Sequence, residues 1–343
     1  MIRSLVRKNI RNLRPYQAEE IACRVKLDAN ESPYDFPDAL SAVKPLRTNR
    51  YPDPEAKAVR SVLAKMWGVR SENILHGNGS DELIFYLISV FGGPVLFPVP
   101  TFSMYGIIGT ILNERTIGVP LDETFQLDEA ALIRSIRHER PRIIFLSSPN
   151  NPTGNSFAPN VMLKILQSSK GIVVIDEAYQ PFSSRKSFVP YLTSYSHLVI
   201  MKTLSKIGLA ALRTGFIIAG KEIIREVNKV RLPFNVNSLS QTVALRALRN
   251  SERLRHSVSA VVREREKLFS RLQGLEGVQP FPSDANFILF RVKRAGRVYE
   301  LLLERGVLVR NLSRTVRDCL RVTIGLPEEN AFFFNTLKKV IRG

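Results

Sequence analysis

Residues able to do chemistry recur in this sequence at one kind of place, directly after a short apolar run. A Ser-Pro-Asn-Asn-Pro-Thr-Gly segment at 148–154 follows the run at 143–146, and Asp-Glu-Ala-Tyr at 176–179 follows the run at 172–175. Lys-Thr-Leu-Ser-Lys at 202–206 follows the run at 198–201. Taken singly, each has an ordinary explanation. Pro, Asn and Gly supply turn dihedrals, Asp176 is a natural helix cap, and Lys206 reads as a surface lysine. Taken together, three successive apolar runs deliver an amide, a carboxylate and a lysine in the same structural context.

That set has a specific chemical use. A lysine that links to a carbonyl and moves a proton, an aspartate that keeps a ring nitrogen protonated, and an aromatic-plus-amide lining are what pyridoxal phosphate requires. The phosphate needs backbone N–H groups at a helix N-terminus, with a cation nearby. Gly-Asn-Gly-Ser-Asp-Glu at 77–82, leading into the apolar stretch 83–91, offers the first, and Arg213 offers the second.

The elements that must position these groups follow from the runs themselves. Those at 95–97, 143–146, 172–175 and 198–201 are continuously apolar rather than alternating, which indicates buried parallel strands covered on both faces. Right-handed crossovers then give a doubly wound α/β layer, whose ligand crevice lies outside the carboxyl ends of the strands. Beyond residue 238 the texture changes. Residues 240–272 read as one long helix, and 283–290 and 319–324 read as strands of a smaller α+β layer. The expected organisation is a large cofactor-binding domain at 47–238, with 1–46 and 239–343 forming a small domain and an N-terminal arm.

Composition excludes several classes. The 343 residues, 44% hydrophobic and 24% charged, are typical of a folded chain of about two domains at roughly 150 residues each. Fifty Lys and Arg against 31 Asp and Glu give a net charge of +19. The basic residues are interleaved with Glu, as at 263–267, so a solvated surface or small anionic substrates fit better than nucleic acid. Two separated cysteines and four isolated histidines offer neither a disulfide framework nor metal-ligand spacing, and no metal is expected. The apolar stretch 83–91 is too short to cross a bilayer, and residues 1–8 lack the apolar segment of a secretion signal. A cytoplasmic protein is expected.

The sequence resembles the fold-type I pyridoxal-phosphate aminotransferases, and within them the histidinol-phosphate aminotransferase family. Ser-Pro-Asn-Asn-Pro-Thr-Gly and Asp-Glu-Ala-Tyr are shared among many aminotransferases. Asn-Leu-Arg-Pro-Tyr at 12–16 and Asn-Arg-Tyr-Pro at 49–52 narrow the resemblance to the histidinol-phosphate branch. It implies a large, mostly parallel-sheet domain plus a smaller α+β domain, pyridoxal 5'-phosphate as cofactor, and a homodimer. It further implies that Lys206 carries the cofactor, that Asp176 meets the ring nitrogen, and that Asn151 and Tyr179 bond the ring oxygen. Phe102 would stack on the ring. The amides of Ser80 and Asp81, with Ser205 and Arg213, would hold the phosphate, joined by Tyr51 of the partner subunit. Tyr16, Asn30, Arg310 and Arg321 would contact substrate, Arg321 taking the glutamate carboxylate. The implied reaction exchanges an amino group between histidinol phosphate and 2-oxoglutarate. The alternatives are a threonine-phosphate decarboxylase, a broader aromatic aminotransferase and, in another class, a basic nucleic-acid-binding protein.

Overall fold

The computed structural model describes residues 2–11, 13, 21–43 and 46–342. Two sheets organise the described chain. The larger has seven strands: β2 (Ile74–Asn78), β3 (Val95–Val99), β4 (Thr116–Pro120), β5 (Ile143–Ser147), β6 (Ile172–Asp176), β7 (Leu198–Thr203) and β8 (Thr214–Ala219). Their spatial order is β2-β8-β7-β6-β5-β3-β4. The smaller contains β1 (Val25–Leu27), β9 (Val278–Pro280), β10 (Phe287–Val292), β11 (Val307–Asn311) and β12 (Cys319–Thr323), in the order β1-β11-β12-β10-β9.

The continuous apolar runs are continuous because both sheet faces are covered. Ile143, Phe145, Val174, Val199 and Met201 pack into one core, while their neighbours Ile144, Leu146, Val173, Ile175, Leu198 and Ile200 pack into the other. Alternate side chains of one strand thus enter opposite layers, as the strand's period of two demands. Fully burying each contributes roughly 1.5–3 kcal/mol. The smaller sheet has its own core of Val25, Ile288, Phe290, Val309, Leu320, Val322 and Phe333.

The strands β3 to β7 pair in parallel, and β8 runs antiparallel to both β7 and β2. This one reversal matters for the site. It brings the N-terminal end of β8 to the same edge as the carboxyl ends of the others, with Thr214 opposite Asn78 and Gly215 opposite Gly77. Arg213 therefore enters where Ser80 leaves.

Two sequence expectations need correction. Residues 240–272 form two helices, Ser238–Arg249 and Ser251–Gln273. Asn250 ends the first and caps the second, its side chain accepting from the Arg253 N–H. The strand expected from 283 starts at Phe287. Ser283 holds the preceding turn, donating from Oγ to the Phe287 carbonyl at 2.6 Å and accepting from the Ala285 N–H at 3.1 Å. The helix Ser238–Arg249 packs Val243, Ala244, Ala247 and Leu248 into the core of the large sheet.

Candidate active site

Five segments converge at the carboxyl edge of the large sheet: those that follow β2, β3, β5 and β6, and the one that joins β7 to β8. Asp176 is the last residue of β6, paired in register with Ser147 and Met201. Its carboxylate is buried. Oδ1 accepts the Ala178 N–H at 3.0 Å, and Oδ2 accepts the Tyr105 hydroxyl at 2.6 Å. Burial pushes its pKa up from 3.8 to about 6. The two hydrogen bonds pull it down, while Asp81 and Glu177 push it further up.

Lys206 lies in the short turn Ser205–Ile207 after β7, its Nζ 5.8 Å from the centroid of the Tyr179 ring. Thr203 fixes the turn before it, its Oγ1 accepting the Ser205 N–H at 3.1 Å and lying 3.0 Å from Ser205 Oγ. Tyr179 is buried, edge-on to Phe287 at 5.1 Å, and its hydroxyl oxygen accepts from Asn30 Nδ2 at 2.9 Å. With that oxygen already accepting, the Tyr179 proton is the one left to point into the crevice.

The anion cradle is built by close backbone approach. Gly79 sits at φ +84°, which a side chain rarely adopts, and turns the chain into the helix Ser80–Phe91. A Cβ on Gly79 would lie 2.8 Å from an Arg213 nitrogen, and one on Gly215 would lie 2.7 Å from both the Gly79 carbonyl carbon and the Ser80 amide nitrogen. Only glycine fits either place. The helix N-terminus, with the Ser80 and Asp81 amides in its first turn, thus opens beside the Arg213 guanidinium, which reaches Asp81 Oδ2 at 3.3 Å. Asp81 Oδ1 is buried without a hydrogen-bond partner among the described residues.

The smaller sheet supplies the opposite wall. Arg321 on β12 is 7% exposed while its neighbours Leu320 and Val322 are fully buried in the core. Its guanidinium donates to Asn151 Oδ1 at 2.5 Å and to the Asp28 carbonyl at 2.7 Å, and lies over Phe287 at 5.1 Å. This ties the loop after β5 to the small sheet, and it assigns the Asn151 oxygen to Arg321, leaving its NH2 group as the donor to a ligand. Arg310 on β11 is opposite Arg321 in register. Asn30, buried at φ +55°, is locked by Thr323, whose Oγ1 accepts its N–H at 3.0 Å, and by Asn286, whose Nδ2 donates to its carbonyl at 3.0 Å.

Two expected residues stand apart. Tyr16 lies outside the described residues. Tyr51 is 80% exposed and stacked on Phe234 at 4.5 Å, and it makes no hydrogen bond to the crevice within its own chain among the described residues. Phe102, half-buried after β3, meets the Tyr105 ring edge-on at 5.6 Å. Sequence reasoning missed Tyr105 as well as Asn286 and Thr323. A tyrosine in an otherwise apolar helix needs a partner for its hydroxyl when buried, and that was the available signal.

The donor set fits a phosphorylated pyridine aldehyde. A buried carboxylate with no cation against it among the described residues suits a protonated ring nitrogen, a half-buried lysine suits a carbonyl, and a glycine-walled helix terminus with an arginine suits a phosphate.

Comparison with known proteins follows the same line. The family model for aminotransferase class I and II matches residues 24–331. The histidinol-phosphate aminotransferase of Aquifex aeolicus is 43% identical over 98% of this chain and 98% of its own length. The crystal structure of histidinol-phosphate aminotransferase from Sinorhizobium meliloti in complex with pyridoxal-5'-phosphate superposes with a TM-score of 0.89 at 22% identity, covering 99% of this chain and 98% of that one. The L-threonine-O-3-phosphate decarboxylase of Porphyromonas gingivalis superposes at 0.82 with 24% identity, over 93% and 100% of the two chains. At such identities the likeness speaks to the fold, which both activities share. The near full-length relative and the matched family model carry the assignment: the chain belongs to the class I and II aminotransferases.

Proposed function

We propose that this protein is a pyridoxal-phosphate-dependent transaminase that converts histidinol phosphate and 2-oxoglutarate to imidazole-acetol phosphate and glutamate, reversibly, in histidine biosynthesis. The observation that carries the chemistry is the convergence of Asn151, Asp176 and Lys206 from three adjacent strand ends, with Arg321 reaching Asn151 from the other sheet. The choice of substrate rests on the relative named above, 43% identical along almost its entire length.

When bound, pyridoxal phosphate supplies an electron sink for the charge that develops at the substrate's α-carbon. The chain's own residues do the rest. Lys206 holds the cofactor and then moves the proton at its Nζ, on the face of the site it shares with Tyr179. Asp176, its carboxylate buried and held by Tyr105 and Ala178, would meet the ring nitrogen. Asn151 and Tyr179 orient the ring through its oxygen, and Phe102 covers its face. The Ser80 and Asp81 amides, Ser205 and Arg213 bind the phosphate. Arg321 presents a planar fork suited to a carboxylate or a phosphate ester, with Asn30, Arg310 and Tyr16 beside it.

The same reading makes the active unit a homodimer in which Tyr51 of the partner subunit reaches the cofactor phosphate. The exposed Tyr51 ring, stacked on exposed Phe234, supports it, since exposed apolar patches mark association surfaces. Two unpaired cysteines, Cys23 and Cys319, support a cytoplasmic location.

The test is a substrate panel with purified, cofactor-loaded protein. Histidinol phosphate with 2-oxoglutarate should turn over with far higher kcat/KM than tyrosine or phenylalanine. Carbon dioxide release from threonine phosphate, with no glutamate formed, would assign the decarboxylase reaction instead.

A further inference from the structure

The residue that stands out beyond this machinery is Tyr105. It lies on the helix Met104–Ile111, just after the segment that carries Phe102, and it is fully buried. Its ring stacks on Phe145 with centroids 4.5 Å apart and planes 8° apart, so the core fixes its position. From there it makes two contacts toward the crevice. The hydroxyl donates to Asp176 Oδ2 at 2.6 Å, and the ring edge meets Phe102 at 5.6 Å and 86°.

We propose that Tyr105 is the positioning residue of the cofactor ring, holding at once the carboxylate that meets the ring nitrogen and the aromatic side chain that covers the ring face. This rests on the pyridoxal-phosphate reading given above.

The direction of the hydrogen bond is settled by chemistry. Burial and the adjacent Asp176 carboxylate push the Tyr105 phenol well above 10, so it remains an O–H donor at any working pH. A donor aimed at a carboxylate favours the ionised form and opposes the desolvation that favours the neutral one. The Ala178 N–H on Oδ1 adds to this. Each carboxylate oxygen therefore holds one fixed donor, and Asp176 keeps its charge and its aim for a third partner. The aromatic contact serves the other axis. Phe102, half-buried, rests edge-on against the Tyr105 ring, so the position Tyr105 holds in the core sets that of Phe102.

Tyr105→Phe removes the hydroxyl and keeps the ring, so the packing on Phe145 and Phe102 survives. A hydrogen bond to a charged group accounts for roughly a ten- to hundredfold effect. The cofactor-loaded variant should hold pyridoxal phosphate roughly ten- to hundredfold more weakly. It should also lose kcat by a similar factor, with KM for histidinol phosphate nearly unchanged. The decisive readout is the nuclear magnetic resonance shift of a nitrogen-labelled cofactor ring, which reports its protonation directly. In the wild type it should stay protonated across the working pH range, and in Tyr105→Phe it should titrate within that range. Phe145→Leu loosens the same ring without touching the hydroxyl, and should lower thermal stability with the ring-nitrogen shift unmoved.

Two results would overturn the proposal. One is a Tyr105→Phe enzyme whose ring nitrogen and cofactor affinity match the wild type while Asp176→Asn changes both. The other is an equal ring-nitrogen change in Phe145→Leu, which would assign the effect to packing. A wild-type protein that takes up no pyridoxal phosphate, or whose ring nitrogen ignores Asp176→Asn, would instead bring down the functional reading, and this proposal with it.

Discussion

Arg321→Lys is the substitution whose effect the structure specifies most closely. The guanidinium holds two acceptors that belong to different parts of the chain, Asn151 Oδ1 at 2.5 Å and the Asp28 carbonyl at 2.7 Å. It is also stacked over Phe287 and almost wholly withdrawn from water. A lysine at this position keeps the charge and loses the planar fork, so its single ammonium cannot hold both acceptors in the same geometry and still face a substrate anion. Losing one charge-assisted hydrogen bond costs about 1.5–3 kcal/mol, or roughly ten- to 150-fold at 1.4 kcal/mol per decade. The loss should fall on both half-reactions, because in the proposed site one guanidinium would hold glutamate and histidinol phosphate alike. Each half-reaction is measured separately, with a single substrate and the cofactor's spectral change as the signal. Both rates should fall by one to two orders of magnitude while cofactor content stays full. A variant with both half-reactions within twofold of wild type refutes the argument and removes Arg321 from the site.

Lys206→Ala should abolish turnover and the covalent, borohydride-reducible link to cofactor; a link retained in that variant shows that another lysine carries it. In cofactor-free protein, folding raises the Asp176 pKa from 3.8 to about 6, so the folded state holds its proton more tightly than the unfolded one. Stability should therefore decline as pH rises from about 4 to about 6, by about 3 kcal/mol at 1.36 kcal/mol per pH unit. Comparing urea midpoints of wild type and Asp176→Asn across that window checks this, since the variant should lack the decline. Mixing inactive Tyr51→Ala and Lys206→Ala subunits should restore part of the activity through hybrid dimers, and a mixture with no recovery argues that Tyr51 serves its own subunit or none.

Much of the placement of the candidate site could be read from the sequence because buried parallel strands announce themselves. A run such as Ile172 to Ile175 has no polar position to spare, so the first polar residue after it, Asp176, must stand at the sheet's carboxyl edge. The antiparallel strand β8 was harder to see, since it opens with Thr214-Gly directly after Arg213 and gives no apolar signal until Phe216. Yet it is this reversal that carries Arg213 to the helix terminus at Ser80. Tyr105 escaped for the opposite reason: apart from Thr110 its helix is otherwise apolar, so a tyrosine there reads as core packing. The break at Asn250 was visible in principle, because an asparagine followed by Ser-Glu-Arg is a helix-start signal. The apolar periodicity on either side overrode it. Tyr51 shows where a single chain stops being informative: within its own chain its exposed ring only stacks on Phe234, and the role proposed for it needs a second copy.

The measurement that bears most directly on the proposed reaction is the fate of one nitrogen atom. Cofactor-loaded protein is mixed with glutamate isotopically labelled at its amino group and with imidazole-acetol phosphate, and the products are weighed by mass spectrometry. The label should appear in histidinol phosphate, one for one with the 2-oxoglutarate formed, and the transfer should vanish in Lys206→Ala. Unlabelled histidinol phosphate, or 2-oxoglutarate formed with no transfer of the label, would contradict the account.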